Sequence, residues 1–294
     1  MTEVVGCFCL GGVFLFNQRE EIDMDSFADE RDFELLEQDR YTFFVLRRIL
    51  STSCDLILTD HKRLVICLSS VPYPVWIWTS DDATEEEMQR AYELLMELGF
   101  LDGTHTFNMK YGLAEYFINK SGSKLSVITN MFAYDNPNPI PPSTADKADG
   151  GPYQCTAQDA DEFVHIMEMF YKETGIPELS MEEYRRKIDE GLKNGTYYCW
   201  KNSEGKNVAC CTYHPVGKLA SLGLVFTYPE YRRRHYAENL VYHVTKTVEQ
   251  KGFLPMLYTD ADYTASNACY EKIGYILRGK LCTIGQKTKP FVDD

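Results

Sequence analysis

The spacing of apolar positions changes several times along the chain, and each change marks an element. From Thr156 to Phe170, "TAQDADEFVHIMEMF" sets Phe163, Ile166, Met167 and Phe170 at i, i+3, i+4 and i+7. That spacing predicts an amphipathic helix with Thr156 as its N-cap. "SMEEYRRKIDEGLKNG" predicts a second helix, opened by a Ser180/Glu183 capping box, striped by Met181, Tyr184, Ile188 and Leu192, and stopped at Gly195. "TYYCW", "NVACCTYH" and "LASLGLVFT" follow, separated by the turns "KNSEGK" and "PVGK", and predict an antiparallel meander. After Thr227 the period lengthens. Ala237, Leu240, Val241, Val244 and Val248 define a long helix that begins close to His235. "LPMLYT" then predicts a short strand, "SNACYEKI" a short helix capped by Ser266 and ended by Gly274, and "YILRGKLCTI" a last strand. The strands ending at Thr227 and Thr259 are joined by a helix, so they are expected to run parallel.

The first half carries an echo of this order. "CDLILTD" and "RLVICLSS" read as paired strands around the turn "DHK", and "VWIWTS" as a third strand. "DDATEEEMQRAYELLMELGF" reads as a helix with a Thr84/Glu87 capping box and a stripe of Met88, Ala91, Leu95 and Leu98. "FNMKYGLAEYFINKSG" reads as helical and "KLSVITNMF" as another strand. "DNPNPIPPSTADKADGGP", Asp135 to Pro152, is rich in Pro, Asp and Gly and reads as a linker. The expected organisation is a lead at 1–23, an α/β domain at 24–135, a linker at 136–152 and a second domain at 153–294. The lead's "VVGCFCLGGVFLFN" lacks a basic start and is short for a membrane span. A buried strand, an unstructured lead, or an initiator at Met24 are its three readings.

Charge sharpens the division. Residues 1–150 hold 25 Asp and Glu against 12 Lys and Arg, whereas the remainder holds 19 against 18. Nothing here offers the broad basic face that nucleic acid rewards, so nucleic-acid and membrane partners are not expected. The ten cysteines form no CxxC pair and no Cys/His metal spacing, so no metal is expected. Cys210 and Cys211 would face opposite ways on a strand, and reduced buried thiols suit a cytoplasmic protein.

Against this acidity, "PEYRRRHYAENL" places Arg232, Arg233 and Arg234 in the loop between a strand's C-terminal end and a helix N-terminus. Such a loop offers free backbone N–H groups and a partial positive charge to an anion. The competing reading pairs these arginines with the acidic first half.

At these residues the chain resembles the GNAT superfamily of N-acetyltransferases. Its pyrophosphate signature is Gln or Arg, two variable positions, Gly, one variable position, then Gly or Ala. Arg232 to Ala237 matches it, with His235 at the first Gly position. "YTDADYTASNACYEKIGY" resembles a second family segment, and the likeness covers about residues 151–294. The resemblance implies an α/β (α+β) fold, a mixed and mostly antiparallel sheet flanked by helices, as in acyl-CoA N-acyltransferases. It implies acetyl transfer from acetyl-CoA to an amine, on a small molecule or a protein, with the cosubstrate along Val225, Phe226, Thr227, Arg232, Arg233, Arg234, His235, Tyr236, Ala237 and Asn267. Backbone groups of Val225 and Thr227 would face the pantetheine arm and thioester carbonyl, and Tyr270 matches the general acid for the leaving thiolate. No base stands out. The strand ending at Thr227 has no carboxylate, which leaves a water relay, Glu168 or Glu173. A second reading, motivated by His235 and the missing base, is a non-catalytic CoA-binding or scaffold protein. The layout also resembles bacterial tandem-type members. The first half then reads either as a degenerate copy, its acidic joint "TSDDATEEE" repelling a pyrophosphate, or as an unrelated α/β domain. Its acidic surface suits a cationic acceptor or a basic partner.

Overall fold

The computed structural model describes residues 24–175 and 178–286, so the lead at 1–23 and its cysteines lie outside the described residues. In the first half, the short helices α1 (Glu30–Leu35) and α2 (Phe44–Leu50) precede a hairpin of β1 (Leu56–Thr59) and β2 (Leu64–Leu68). Strand β3 (Val75–Thr79) continues it antiparallel. Helix α3 (Glu85–Glu97) then crosses to β4 (Phe107–Met109), parallel to β3, and α4 (Tyr111–Lys120) leads to β5 (Leu125–Asp135). The second half opens with β6 (Gly151–Gln154), α5 (Ala160–Thr174) and α6 (Met181–Lys193). The meander β7 (Tyr197–Lys201), β8 (Asn207–Val216), β9 (Leu219–Thr227) follows, then α7 (Tyr236–Gln250), β10 (Leu254–Asp260) parallel to β9, α8 (Thr264–Lys272) and β11 (Ile276–Gln286).

Strand alternation builds the layers. Leu64, Ile66, Val75 and Ile77 face α3 and α4, while Val65, Cys67, Trp76 and Trp78 face α1 and α2. These β2 and β3 residues are buried on both faces, which is why their runs read as continuous apolar stretches rather than as alternation. Likewise Tyr197 and Cys199 face α5 and α6, whereas Tyr198 and Trp200 face α7. Cys210 and Cys211 point to opposite faces, each buried, and every described cysteine is a free thiol.

The two halves repeat one order: three antiparallel strands, a crossover helix, a parallel strand, a helix and a final strand. They also interlock. All eleven strands form one sheet in the order β1-β2-β3-β4-β11-β5-β10-β9-β8-β7-β6. Each half's final strand lies beside the other half's parallel strand: β11 against β4, and β5 against β10. Between them β5 and β11 pair antiparallel over ten registered positions. Residues between β5 and β6 are docked rather than free. The Asn136 N–H donates to the Pro255 carbonyl at 2.9 Å, its side-chain amide donates to the Ile273 carbonyl at 2.8 Å, and Thr144 and Ala148 are buried.

Three local expectations change. "FNM" is strand β4, not helix: all three residues are buried, and a three-residue strand is too short to show a period. Helix α8 begins at Thr264, so Ser266 sits inside its first turn rather than capping it. Met181 and Leu98 lie on exposed helix ends at 52% and 36%, and Leu94 joins Ala91 and Leu95 in the core. The capping boxes at Thr84/Glu87 and Ser180/Glu183 form as expected.

Because neither half completes its sheet alone, both should unfold together. Trp76 and Trp78 lie in the first half and Trp200 in the second. In Trp200→Phe, urea unfolding followed by fluorescence (first half) and by far-ultraviolet circular dichroism (whole chain) should share one midpoint. Two separated transitions would contradict the interlock.

Candidate active site

The site starts where two parallel strands part. β9 and β10 pair from Leu219↔Leu254 to Leu222↔Leu257 and then separate. Beyond that point β9 follows β8 to Thr227↔Ala209, while β10 follows β5 to Asp260↔Met131. A bulge drives the parting. The β8–β9 register slips between Cys210 and Thr212, and Leu224, opposite the slip, has φ of +47°. The edge of β9 that faced β10 is thereby released along Val225, Phe226 and Thr227. Phe226 sends its buried ring toward α5 and α6, and Val225 packs against the α7 cluster.

A 3-10 turn, Pro229–Tyr231, carries the chain from β9 into the arginine loop. The three arginines have different surroundings. Arg232 donates from one nitrogen, Nη2, to both carboxylate oxygens of Glu173 at 2.6 and 2.9 Å, donates through Nε to the Thr227 carbonyl at 3.1 Å, and lies 5.9 Å from the Phe226 ring. It braces the loop against α5, not against the acidic first half. Exposed on both sides, this pair is worth at most about 1 kcal/mol. Arg234 stacks over Tyr231 at 5.6 Å. Arg233 has no ion-pair partner among the described residues.

Arg233 and His235 both adopt left-handed backbone, with φ of +62° and +65°. Alternating left-handed residues turn successive N–H groups toward one side. The amides from Arg233 to Ala237 find no acceptor among the described residues, and the positive end of the fifteen-residue α7 lies behind them. His235 thus adopts the conformation for which the signature uses glycine, and His tolerates it better than most residues. Its ring lies over the first turn of α7, Nδ1 3.5 Å from Glu238. Tyr236 is buried, and its hydroxyl donates to the Asp149 carboxylate. Asp149 also accepts from the Ser203 N–H at 2.8 Å, and these bonds hold its carboxyl well below the usual range. The stretch before β6 therefore ties down the start of α7.

Helix α8 supplies the remaining side chains. Asn267 donates to the carbonyls of Ala261 at 3.0 Å and Asp260 at 3.3 Å, while its Oδ1 is buried without a donor among the described residues. Leaving such an acceptor unsatisfied is unfavourable by about 1–3 kcal/mol, which an incoming N–H would offset. Tyr270 packs with Val225, Leu222, Leu257 and Tyr236, its ring 5.9 Å from Tyr275. Burial pushes its phenol well above the ordinary value. Tyr270 thus shares one apolar cluster with Leu222 and Val225 of β9 and with Tyr231 and Tyr236 at the two ends of the arginine loop, and Asn267 lies one turn before it on α8. Glu173 is engaged with Arg232, and Glu168 lies on the outer side of α5 near His165, at 4.0 Å. Sequence reasoning missed the bulge, for which Gly223 within a strand was the available signal.

The corresponding position in the first half is filled. β3 and β4 pair only at Val75↔Phe107 and Trp76↔Asn108. Lys110, just past β4, reaches Asp39 at 2.6 Å and Asp81 at 2.5 Å, and Trp78 Nε1 donates to Asp39 at 2.8 Å. Elsewhere in this half, His61 lies between Asp32 at 2.7 Å and Asp25 at 2.9 Å, while Thr59 donates to Asp32 at 2.6 Å. Asp29, Asp32 and His61 form the one metal-like grouping among the described residues, and the hydrogen bonds of Asp32 pin α1 to the β1–β2 hairpin.

The left-handed backbone at 235 makes a direct prediction. His235→Gly should fold and bind ligand at least as well as the parent. His235→Val, with a β-branched side chain at φ of +65°, should lose about 1–2 kcal/mol, read as a lower melting temperature. Equal melting temperatures for the two variants would contradict this geometry.

Residues 162–275 match the Acetyltransferase (GNAT) family. No curated protein matches the chain. Among solved structures, a GCN5-related N-acetyltransferase from Sphaerobacter thermophilus superposes with a TM-score of 0.63 at 11% identity, covering 89% of this chain and 94% of that one. One from Kribbella flavida gives 0.58 at 12%, covering 87% and 98%. A GNAT-family acetyltransferase from Colwellia psychrerythraea gives 0.56 at 11%, covering 90% and 100%. These likenesses extend over both halves and are likenesses of fold. The residues that match this family, 162–275, are the ones that hold the splay and the arginine loop.

Proposed function

We propose that this protein transfers the acetyl group of acetyl-CoA to the nitrogen of an amine, at the β9–β10 splay of the second half alone. The observation that carries the reading is the row of free N–H groups from Arg233 to Ala237, set by two left-handed residues at the start of α7. That arrangement fits a pyrophosphate, with Arg233 and Arg234 adding charge. Arg232 serves differently, holding the loop to Glu173. The free Oδ1 of Asn267 suits an amide N–H of a pantetheine arm, and the released edge of β9 at Val225–Thr227 suits its carbonyls and the thioester.

Acetyl-CoA would supply an activated acyl carbon. A C–N bond forms to the neutral amine, the C–S bond breaks, the amine loses a proton to water, and the sulfur gains one. We assign that proton to Tyr270, whose phenol burial keeps protonated beyond the ordinary value of about 10. No carboxylate stands on β9, so proton removal falls to water or to an amine that arrives neutral. The acidic joint and the Lys110 bridge leave the first-half counterpart unsuited to an anion. The free thiols fit a reducing, cytoplasmic setting.

The second reading, CoA binding without transfer, rests on the same missing carboxylate, and one experiment separates the two. Calorimetry with acetyl-CoA should show binding that weakens about tenfold or more in the Arg233→Ala, Arg234→Ala double variant. Tyr270→Phe should keep that binding yet lose about a hundredfold in kcat. With a phenol pushed upward, wild-type kcat should show no alkaline loss due to Tyr270 below about pH 10. Binding without turnover over a broad amine screen would favour the non-catalytic reading. Absence of binding would end both.

A further inference from the structure

At the corner between α2 and β1, two thiols meet. Cys67, within β2, sits between Ile57 of β1 and Trp76 of β3 in the strand register. It is fully buried and turns to the face that packs against α1 and α2. Its thiol donates to the Cys54 sulfur at 3.6 Å, so the two sulfurs are in contact. Cys54 in turn donates to the carbonyl of Ile49, near the end of α2, at 3.1 Å. Among the described residues no other hydrogen-bonded thiol pair includes a cysteine that reaches solvent.

The two cysteines differ in what else can reach them. Cys67 is closed off by the strands on either side and by the cluster under α2, and burial pushes its thiol well above the ordinary value. Cys54 is half-buried, and its chain neighbours Thr52, Ser53 and Asp55 are exposed. A small oxidant in solution therefore meets Cys54 first. Cys54 also lies in irregular chain between α2 and β1, whereas Cys67 is fixed in a ladder. A disulfide is about 2.05 Å long, so the sulfurs must close by roughly 1.5 Å, and that movement falls to Cys54.

We propose that Cys54 and Cys67 form an oxidisable pair: hydrogen peroxide converts Cys54 to its sulfenic acid, and Cys67 then closes a disulfide that clamps the end of α2 to β2. In the first step the Cys54 sulfur is oxidised by two electrons, the peroxide O–O bond breaks, one oxygen stays on sulfur and one leaves as water. In the second the Cys67 sulfur attacks the Cys54 sulfur, the S–O bond breaks, and the hydroxyl leaves with the thiol proton as a second water. Two thiols and one peroxide thus give one disulfide and two waters. The pair acts independently of acetyl transfer. Its place gives the clamp reach, because the chain at the start of α2 is also held by the second half, where the Tyr258 hydroxyl donates to the carbonyls of Tyr41 at 2.6 Å and Thr42 at 3.0 Å. A link from residue 54 to 67 removes freedom from the unfolded chain, and interlocked halves share the gain.

The test needs no turnover. Full-length protein is treated with hydrogen peroxide, its remaining thiols are blocked with iodoacetamide, and its peptides are mapped by mass without reduction. A linked pair carrying Cys54 and Cys67 should be the main cross-linked product, and dithiothreitol should release it. Cys54→Ser should give no such link, because the sulfur that meets the oxidant is gone. Cys67→Ala should leave the sulfenic acid at Cys54 open to trapping by dimedone. Should Cys67→Ala fail to fold, the parent and Cys54→Ser carry the comparison by themselves. On oxidation the parent should gain about 5 °C in melting temperature relative to Cys54→Ser treated alike. The proposal is overturned if peroxide leaves both thiols free, if either joins a different cysteine as the main product, or if the linked protein shows no such gain.

Discussion

The pairing of β5 with β11 is the contact on which the rest of the architecture depends. It joins the last strand of each half over ten positions and places each beside the other half's parallel strand. The Arg278 guanidinium donates to the buried Asp135 carboxylate at 2.7 Å, closing one end of this seam. Gly279, just past the bulge at Arg278, lies against Thr42, where a Cβ would come within 1.9 Å of the threonine hydroxyl. The segment entering α2 can therefore approach the sheet closely. That approach sets α2 against the second half's strands, where Phe44 packs with Leu219 and Met256.

The seam also explains why one splay is open and the other closed. Both halves carry a parallel pair that parts after a few residues. In the second half the parting is widened by a bulge at Leu224 and followed by an arginine loop with two left-handed residues. In the first half a lysine bridged by two aspartates stands at the corresponding place, and the joint after β3 is acidic. The same backbone plan thus meets opposite electrostatics. An anion is favoured at one joint and repelled at the other.

Much of the second half was legible because its elements are long and regular. Capping boxes, a clear 3.6-residue period in α5, α6 and α7, and short turns between β7, β8 and β9 all act locally. The arginine loop was legible for the same reason: its meaning lies in its position between a strand and a helix. The exchange of β5 and β11 was not, because a strand's apolar pattern says which faces are buried and not which distant strand lies beside it. Strand β4 was too short to show a period, and α1 and α2 sit in or just after an acidic stretch whose charges obscure their apolar contacts. His235 looked like a departure in sequence, yet its backbone angle shows it meeting the same demand as glycine.

The central claim is that acetyl-CoA lies along β9 and the arginine loop, in one copy of a repeated plan. Hydrogen–deuterium exchange with and without acetyl-CoA tests it most directly. The account predicts new protection at the amides from Val225 to Thr227 and from Arg233 to Ala237, with none at the joint between Ser80 and Thr84. Protection at that first-half joint, or none at the arginine loop, would contradict it.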